Sequence, residues 1–543
     1  MNAAGIITQA SRIAARAIRA AGQGITAATA AYTGSENKRY AASKTTRLGE
    51  KWSPVTRDIN TIVNSQSATI RARVQQLCRD FPYFKRGCDV VVNYTVGKGV
   101  SYQPRIKSPG GKLVKKLNQQ LEDAWLYWGD EVDLAGKQHY HDMERLAKRQ
   151  DIEGGEFLCV LTRDNSANRF LPVALRLFEG DWLTSSNAKT EGDVALWDAA
   201  SGISPLSGTG RAVFNGIEYE IASGKVLAYH LADPGSYKNP VRVPAQYVAH
   251  GHEVMRPNQM RGISPFATAI LIAHSIHELM GSELDKAQMA SKWLAFITTP
   301  NPGGFQALRG TNSVTRDDGS AKKIEEIDNA AHEYLRPGED VKFATPNLPG
   351  SNFEAFIKLV LRMVAITIGV SYDILSGDYS DLSYTTQRGS RNDMIEAFEP
   401  VRGRHIFQFS KKVQHWFLDA AYLTGKIQMP DYIENPGRYM RAYWQPAGHR
   451  MLDPLRESKA NSNDLKSLLR SPQEICRERG RDFEDVLSDI AEAKAQAKGL
   501  GIDYFELLGM VNTALANNPA AVAGGEGEAG GGQKGVKKIW TVK

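Results

Sequence analysis

The chain has 543 residues, 42% hydrophobic and 23% charged, enough for roughly three or four compact units and apolar enough for most of it to fold. A net charge of +7, with acids and bases interleaved, excludes the concentrated basic face of a sequence-specific DNA binder. Cys78, Cys88, Cys159 and Cys476 stand far apart without CxxC spacing, which excludes a zinc ribbon or a disulfide scaffold and fits a reducing cytoplasm.

The first 35 residues contain no acid, and Arg12, Arg16 and Arg19 share a helical face opposite Ile6, Ile7, Ile13 and Ile18. Residues 1–50 therefore read as a basic amphipathic or mobile arm rather than a targeting signal. A helix over about Asp58–Asp80 follows. FPYFKRGCDVVVNYTVGKGVSYQPRI begins helical and turns to strand where Gly97 and Gly99 break it. Leu113, Leu117, Leu121, Trp125 and Trp128 recur at the spacing of one buried helical face.

From Glu156 to about Val254 the period falls to two. EFLCVLT, PVALRLFEGDWL, GIEYEI and KVLAYHL are strand-like runs, punctuated by Asn215-Gly216 and Ser223-Gly224 turns. Ser264 as N-cap and Pro265 at the first position then open a helix expected to run some thirty residues to about Ile297, roughly 45 Å. Residues 298–350, rich in Pro, Gly and charge, read as a separate small protrusion carrying Arg309, Arg316, Asp317, Asp318, Lys322 and Lys323.

Helicity resumes at Phe353. Phe353, Phe356, Val360, Val364 and Ile368 make one apolar face, while Glu354, Lys358 and Arg362 make a charged stripe. The windows Phe266–Ala273 and Phe356–Val370 are the most apolar in the chain, yet too short to span a bilayer, and no membrane contact is expected. The polar loop SYDILSGDYSDLSYTTQRGSR precedes a helix of about 35 residues up to Gly425, in which Pro400 should introduce a bend. RYMRAYWQPAG reads as a returning strand. Pro454–Lys498 is helical, with a capping box at Ser471 and Glu474, and residues 517–543 form a Gly-rich tail expected to be disordered.

Catalytic chemistry is mostly missing. No Gly-Lys pair is followed by the Ser or Thr of a phosphate-cradling loop, and no GxSxG elbow occurs. The glycines at 97 and 99 read as a tight bend. His139-Tyr140-His141-Asp142 and His274/His277/Glu278 complete no metal pattern; His250/His252/Glu253 is the strongest alternative, a metal-dependent nuclease or hydrolase. Asp317-Asp318, and Asp378 with Asp381, read as solvated loop charges. The acidity of Glu484, Asp485, Asp489 and Glu492 argues against a groove-reading pair of helices around Gly480.

Four ordered strings resemble the portal proteins of lambda-like tailed bacteriophages: RARVQQLCRDFPYFKRGCDVVVNYTVGKGV; RPNQMRGISPFATAI, with Arg256, Pro257, Arg261, Gly262, Ser264 and Pro265; LSGDYSDLSYTTQRGS; and Trp444-x-Pro446 followed by Asp453-Pro454. They span about Arg71–Ala497. LKSLLRSPQEI departs from the family's Gly-containing turn. The resemblance implies an α+β subunit of a dodecameric ring in the virion, at one capsid vertex, assembled in a bacterial host's cytoplasm. It implies a wing (51–263), stem helices (264–297 and 351–371), a clip (298–350), a tunnel loop (372–391), a spine helix with returning strand (392–450) and a crown (451–516).

By the same resemblance the partners are further copies of the chain, double-stranded DNA without sequence preference, the terminase large subunit, major capsid and scaffolding proteins, and a head-tail adaptor. No catalytic residue, metal or cofactor is expected. Ser376, Gly377, Asp378, Tyr379, Ser380, Ser383, Tyr384 and Arg388 would line the DNA channel at the tunnel loop. Lys286, Lys292, Lys358 and Arg362 would belong to the stem, and Arg309, Arg316, Lys322 and Lys323 would dock the clip's partner.

Overall fold

The computed structural model describes residues 58–166, 169–184, 203–206, 210–235, 240–291, 295–298, 313–315, 321–323, 340–343, 353–380, 382–448 and 453–502. The terminal arm, most of the 298–350 protrusion, Lys292, Arg309, Arg316, Asp317, Asp318, Asp381 and the Gly-rich tail lie outside them. The chain divides into units 1–62 and 63–543. Of the first, only residues 58–62 are described, at the start of helix Ile59–Asp80.

Helices and sheets alternate along the second unit. Helix Pro82–Thr95 ends at the glycine bend, where Gly97 (φ +65°) and Gly99 (φ +120°) turn the chain into β1, Ser101–Pro104. That strand pairs antiparallel with β14, Ala442–Gln445, so the expected returning strand joins segments more than 300 residues apart. β2 (Glu156–Arg163) sits between β3 (Val173–Phe178) and β9 (Val248–His252). A separate antiparallel meander runs through β4 (Ile203–Leu206), β5 (Arg211–Phe214), β6 (Ile217–Glu220), β7 (Val226–Leu231) and β8 (Val241–Pro244). Asn215 (φ +45°) and Gly216 (φ +82°) make the predicted tight turn between β5 and β6.

Aromatic packing builds the first core. Helix Lys115–Asp130 sends Trp125 and Trp128 inward against Tyr102, Tyr140, Phe417 and Trp444. The Trp128 indole N–H is satisfied by the Val173 carbonyl at 3.0 Å. A second core gathers Phe81, Phe84, Cys88, Phe266, Val364 and Phe398 from the helices on either side, and a third lies between the two larger sheets. All four cysteines are free thiols.

Three expectations change. The thirty-residue helix is a 3-10 turn, Pro265–Thr268, then an α-helix, Ile270–Ser291. Ser264 does cap the turn, its hydroxyl accepting the Phe266 N–H at 3.2 Å, but β10, Ala295–Thr298, replaces the last helical residues and pairs with β13, Asp340–Phe343. The hairpin β11 (Ser313–Thr315) and β12 (Ala321–Lys323) lies between them in sequence.

Helix Phe353–Thr367 buries Val360 and Val364, and Ile368 is buried just beyond it, but Phe356 is half exposed. Leu359, Met363 and Ile366 are exposed too, so the helix has a second apolar face besides the expected one. The long helix runs Tyr384–His405 with Pro400 inside it, passes through a π-helical turn, Ile406–Ser410, and continues as Lys411–Leu423. The wider turn carries Phe409 into the aromatic core and lets the Ser410 hydroxyl donate to buried Glu144 at 3.0 Å.

One charged cluster ties these layers together. Glu156, at the head of β2, is wholly buried. Arg71 donates to its Oε1 at 2.9 Å, and Arg261 Nε to Oε1 and Oε2 at 2.9 and 2.8 Å. His250 Nε2 lies 3.1 Å from Oε2. Gly262 must come close: a Cβ there would lie 1.8 Å from the Gly155 carbonyl oxygen. Burial alone would raise the carboxyl's pKa; the Arg261 charge, the His250 and Arg261 hydrogen bonds and the His250 charge outweigh it and hold it well below 4.5.

Glu156→Gln keeps the shape and removes the charge between two buried guanidinium groups. It should cost about 3–5 kcal/mol in chemical unfolding at pH 7. A depressed native pKa gives stability that is present above the unfolded carboxyl's range and lost as pH falls through the native value. The gap between wild type and variant should therefore hold from pH 8 to about 5 and shrink only under stronger acid.

Candidate functional site

The polar segment after helix Phe353–Thr367 is more structured than its composition suggests. Ser371 precedes a short helix, Tyr372–Ser376, which stops because Gly377 takes a left-handed conformation (φ +74°) and returns its N–H to the Asp373 carbonyl at 2.8 Å. Arg86 donates to the Ile374 carbonyl at 3.4 Å, and the Ser390 hydroxyl to Asp373 at 3.4 Å, which docks this short helix against its neighbours. Of the expected loop 372–391, the described non-helical residues are therefore 377–380, 382 and 383. Tyr384 and Arg388 stand on the long helix.

Within that stretch the hydroxyls and the carboxylate shape one another. The Ser376 hydroxyl donates to Tyr372 O at 2.7 Å and accepts the Asp378 N–H at 3.1 Å. Asp378 Oδ1 accepts the Ser380 N–H at 3.1 Å and the Ser380 hydroxyl at 2.5 Å, while Oδ2 faces Lys358 Nζ at 3.6 Å. The Ser380 hydroxyl, then its N–H, hold the Asp378 carboxyl below its ordinary range, with Lys358 adding to them. Ser383 caps the long helix, accepting the Thr386 N–H at 3.2 Å. Tyr379 and Tyr384 leave much of their rings in solvent, so the described residues present hydroxyls, the Asp378 carboxylate and two aromatic faces.

Other expected site residues do not gather here. Arg388 lines a cleft of about 680 Å³ with Arg391, Arg402, Glu457 and Arg477, between the long helix and the C-terminal helices. Lys286 pairs with Glu283 at 2.5 Å on its own helix. Arg362 lies 5.3 Å from the Tyr372 ring centre. Lys322 and Lys323 fall on β12, opposite Val314 and Ser313.

The alternative metal cluster comes apart. His250 faces Glu156, His252 Nε2 reaches the Gln259 carbonyl at 3.4 Å, and Glu253 pairs with Arg404 at 3.0 Å. Burial, then the neighbouring His250, push the His252 imidazole down to about 4. Among the described residues no group of three His, Cys, Asp or Glu side chains could hold a metal ion. Nor is any described helix long and apolar enough to cross a membrane.

The residues that the sequence reading missed are the buried charges. Glu156 has partners 85 and 105 positions away, and fully buried Glu144 accepts the Val100 N–H at 3.0 Å. The one signal for Glu156 is an acid heading an apolar strand directly after the Gly154-Gly155 pair.

The sequence model for "phage portal protein, lambda family" matches residues 45–402, from before Arg71 through the polar segment. The chain belongs to that family. As a lambda-family portal protein it is a structural component of the phage virion and not an enzyme, which removes the nuclease alternative. It is 24% identical over 482 residues to the probable portal protein of Halomonas phage phiHAP-1, covering 86% of this chain and 88% of the relative. It is 20% identical over 492 residues to portal protein B of Escherichia phage lambda, covering 83% and 88%.

Among solved structures, a chain of the virion of a native gene transfer agent particle superposes with TM-score 0.41 at 11% identity, covering 79% of this chain and 96% of that one. A chain of the neck of an empty particle of the same kind gives 0.42 at 13%, with the same coverage. Superpositions this loose bear no argument.

Gly377→Ala tests the turn that starts the polar stretch. A Cβ there meets nothing within 4 Å, so the cost is conformational alone, about 1–2 kcal/mol. The expected result is a fully folded portal protein with that loss in chemical unfolding.

Proposed function

We propose that this portal protein assembles head-to-tail into a dodecameric ring at a capsid vertex, through which double-stranded DNA is packaged and later ejected. The supporting observation is the two-sided helix Phe353–Thr367. Its own chain covers Val360 and Val364 and leaves Phe356, Leu359, Met363 and Ile366 exposed. Helix Ile270–Ser291 likewise exposes Leu271 and Leu284. At roughly 1.5–3 kcal/mol for each large side chain fully covered, a neighbouring copy is the natural cover, and a heterologous contact that closes makes a ring.

In this reading 51–263 is the wing, 264–297 and 351–371 are the stem, 298–350 is the clip and 451–516 the crown. The clip, with Arg309, Arg316, Lys322 and Lys323, meets the terminase large subunit during packaging and the head-tail adaptor afterwards. The wing and crown meet the major capsid and scaffolding proteins. Residues 377–383 form the tunnel loop. Its hydroxyls and two aspartates, with no basic residue among them, suit a channel that passes any sequence, because each tightly paired phosphate adds affinity and hinders sliding.

Replacing Asp378, Tyr379 or Ser380 by alanine should leave closed rings in native mass spectrometry and lower the yield of DNA-filled particles. Variants that package at the wild-type level would contradict the loop assignment, and a chain that stays monomeric under all assembly conditions would contradict the ring.

A further inference from the structure

Lys358 and Arg362 lie one turn apart on helix Phe353–Thr367, where a stripe of cations reads at first as a surface turned toward DNA. Their neighbours give them other occupations. Lys358 Nζ lies 2.8 Å from Glu354 Oε1 on its own helix and 3.6 Å from Asp378 Oδ2 in the loop, and its side chain is only 27% exposed. Arg362 reaches the Tyr372 ring at the start of the short helix. The Asp378 carboxylate divides its work: Oδ1 holds Ser380 and the loop's shape, Oδ2 faces Lys358. This ion pair reaches Asp378 from another element.

We propose that Lys358 is a positioning residue that latches the 377–383 loop to its helix through Asp378, with Glu354 competing for the same ammonium group, so that the loop can be released without unfolding anything beneath it. The proposal deepens the tunnel-loop reading and rests on it. The short helix before the loop is docked by Arg86 and Ser390 as well as Arg362. Releasing Asp378 therefore frees the loop and leaves its base in place. A part-exposed pair is weak enough to open and close readily, and passing DNA, itself polyanionic, competes with Asp378 for the lysine.

The test is hydrogen exchange of peptides covering 377–383 in the assembled, DNA-free full-length protein, compared with DNA packaging by the same variants. Lys358→Asp and Asp378→Lys should each raise exchange in the loop roughly two- to five-fold, the range a part-exposed ion pair supports. The double variant, which restores the pair with reversed sign but not the Asp378 hold on Ser380, should exchange less than Asp378→Lys alone. Glu354→Gln should lower exchange, because it removes one competitor of Asp378 for the Lys358 ammonium group; a merely structural role for Lys358 predicts no such decrease. Lys358→Gln, a milder change, should raise exchange like Lys358→Asp.

Unchanged exchange in the single variants, or a double variant that exchanges as fast as Asp378→Lys alone, overturns the latch. Impaired packaging by Lys358→Asp with unchanged exchange also overturns it, and assigns the lysine to DNA directly. Exchange that follows the pairing while every variant packages normally supports the latch and contradicts the tunnel-loop reading.

Discussion

Glu156 is an anion with no solvent, and everything around it is arranged to keep it charged. The carboxylate meets Arg71 from the first helix, Arg261 from the segment leading to the 3-10 turn, and His250 from the neighbouring strand β9. The same guanidinium groups also serve the backbone: Arg71 donates to Gly154 O at 3.2 Å, and Arg261 to Gly180 O at 2.7 Å and Asn215 O at 3.0 Å. Removing such a carboxylate from water costs several kcal/mol, and it is tolerated because each oxygen is satisfied from more than one side. A different arrangement of sheet and helix would leave a bare charge inside.

This requirement reaches the helices farther along the chain. Arg261 and Gly262 are consecutive, so seating the guanidinium also presses the backbone against Gly155, where no side chain would fit. Two residues on, the Ser264 hydroxyl donates to Ile152 O at 2.6 Å and caps the 3-10 turn that starts helix Ile270–Ser291. Phe266 packs at 4.5 Å between ring centres on Phe84, in the core shared with Val364, Leu375 and Phe398. The electrostatics of one strand end thus continue into the core from which the 377–383 loop springs.

Much of the fold was legible because it follows from local periodicity and turn chemistry. Leu121, Trp125 and Trp128 share the buried face their spacing predicts, Asn215-Gly216 makes its tight turn, and Ser471 and Glu474 form both halves of the capping box. The order of elements follows from such signals, and the family from four strings. What escaped depends on distant partners. The Glu156 cluster joins positions 85 and 105 residues away, and the π turn answers to buried Glu144. The polar loop read too long because Tyr372–Ser376 is stabilised by docking rather than by its own sequence. Helix Phe353–Thr367 reads with one apolar face because periodicity does not say which of its apolar positions the chain's own core covers, and Leu359, Met363 and Ile366 are left out of it.

That second face and the loop beside it carry the functional account. The most direct measurement is a cryo-electron microscopy reconstruction of the assembled protein in a DNA-filled particle. The account predicts a closed ring in which Phe356, Leu359 and Ile366 lie against a neighbouring copy and residues 377–383 face the axial duplex. A ring that leaves those side chains in solvent and turns the loop to its outer rim would contradict it.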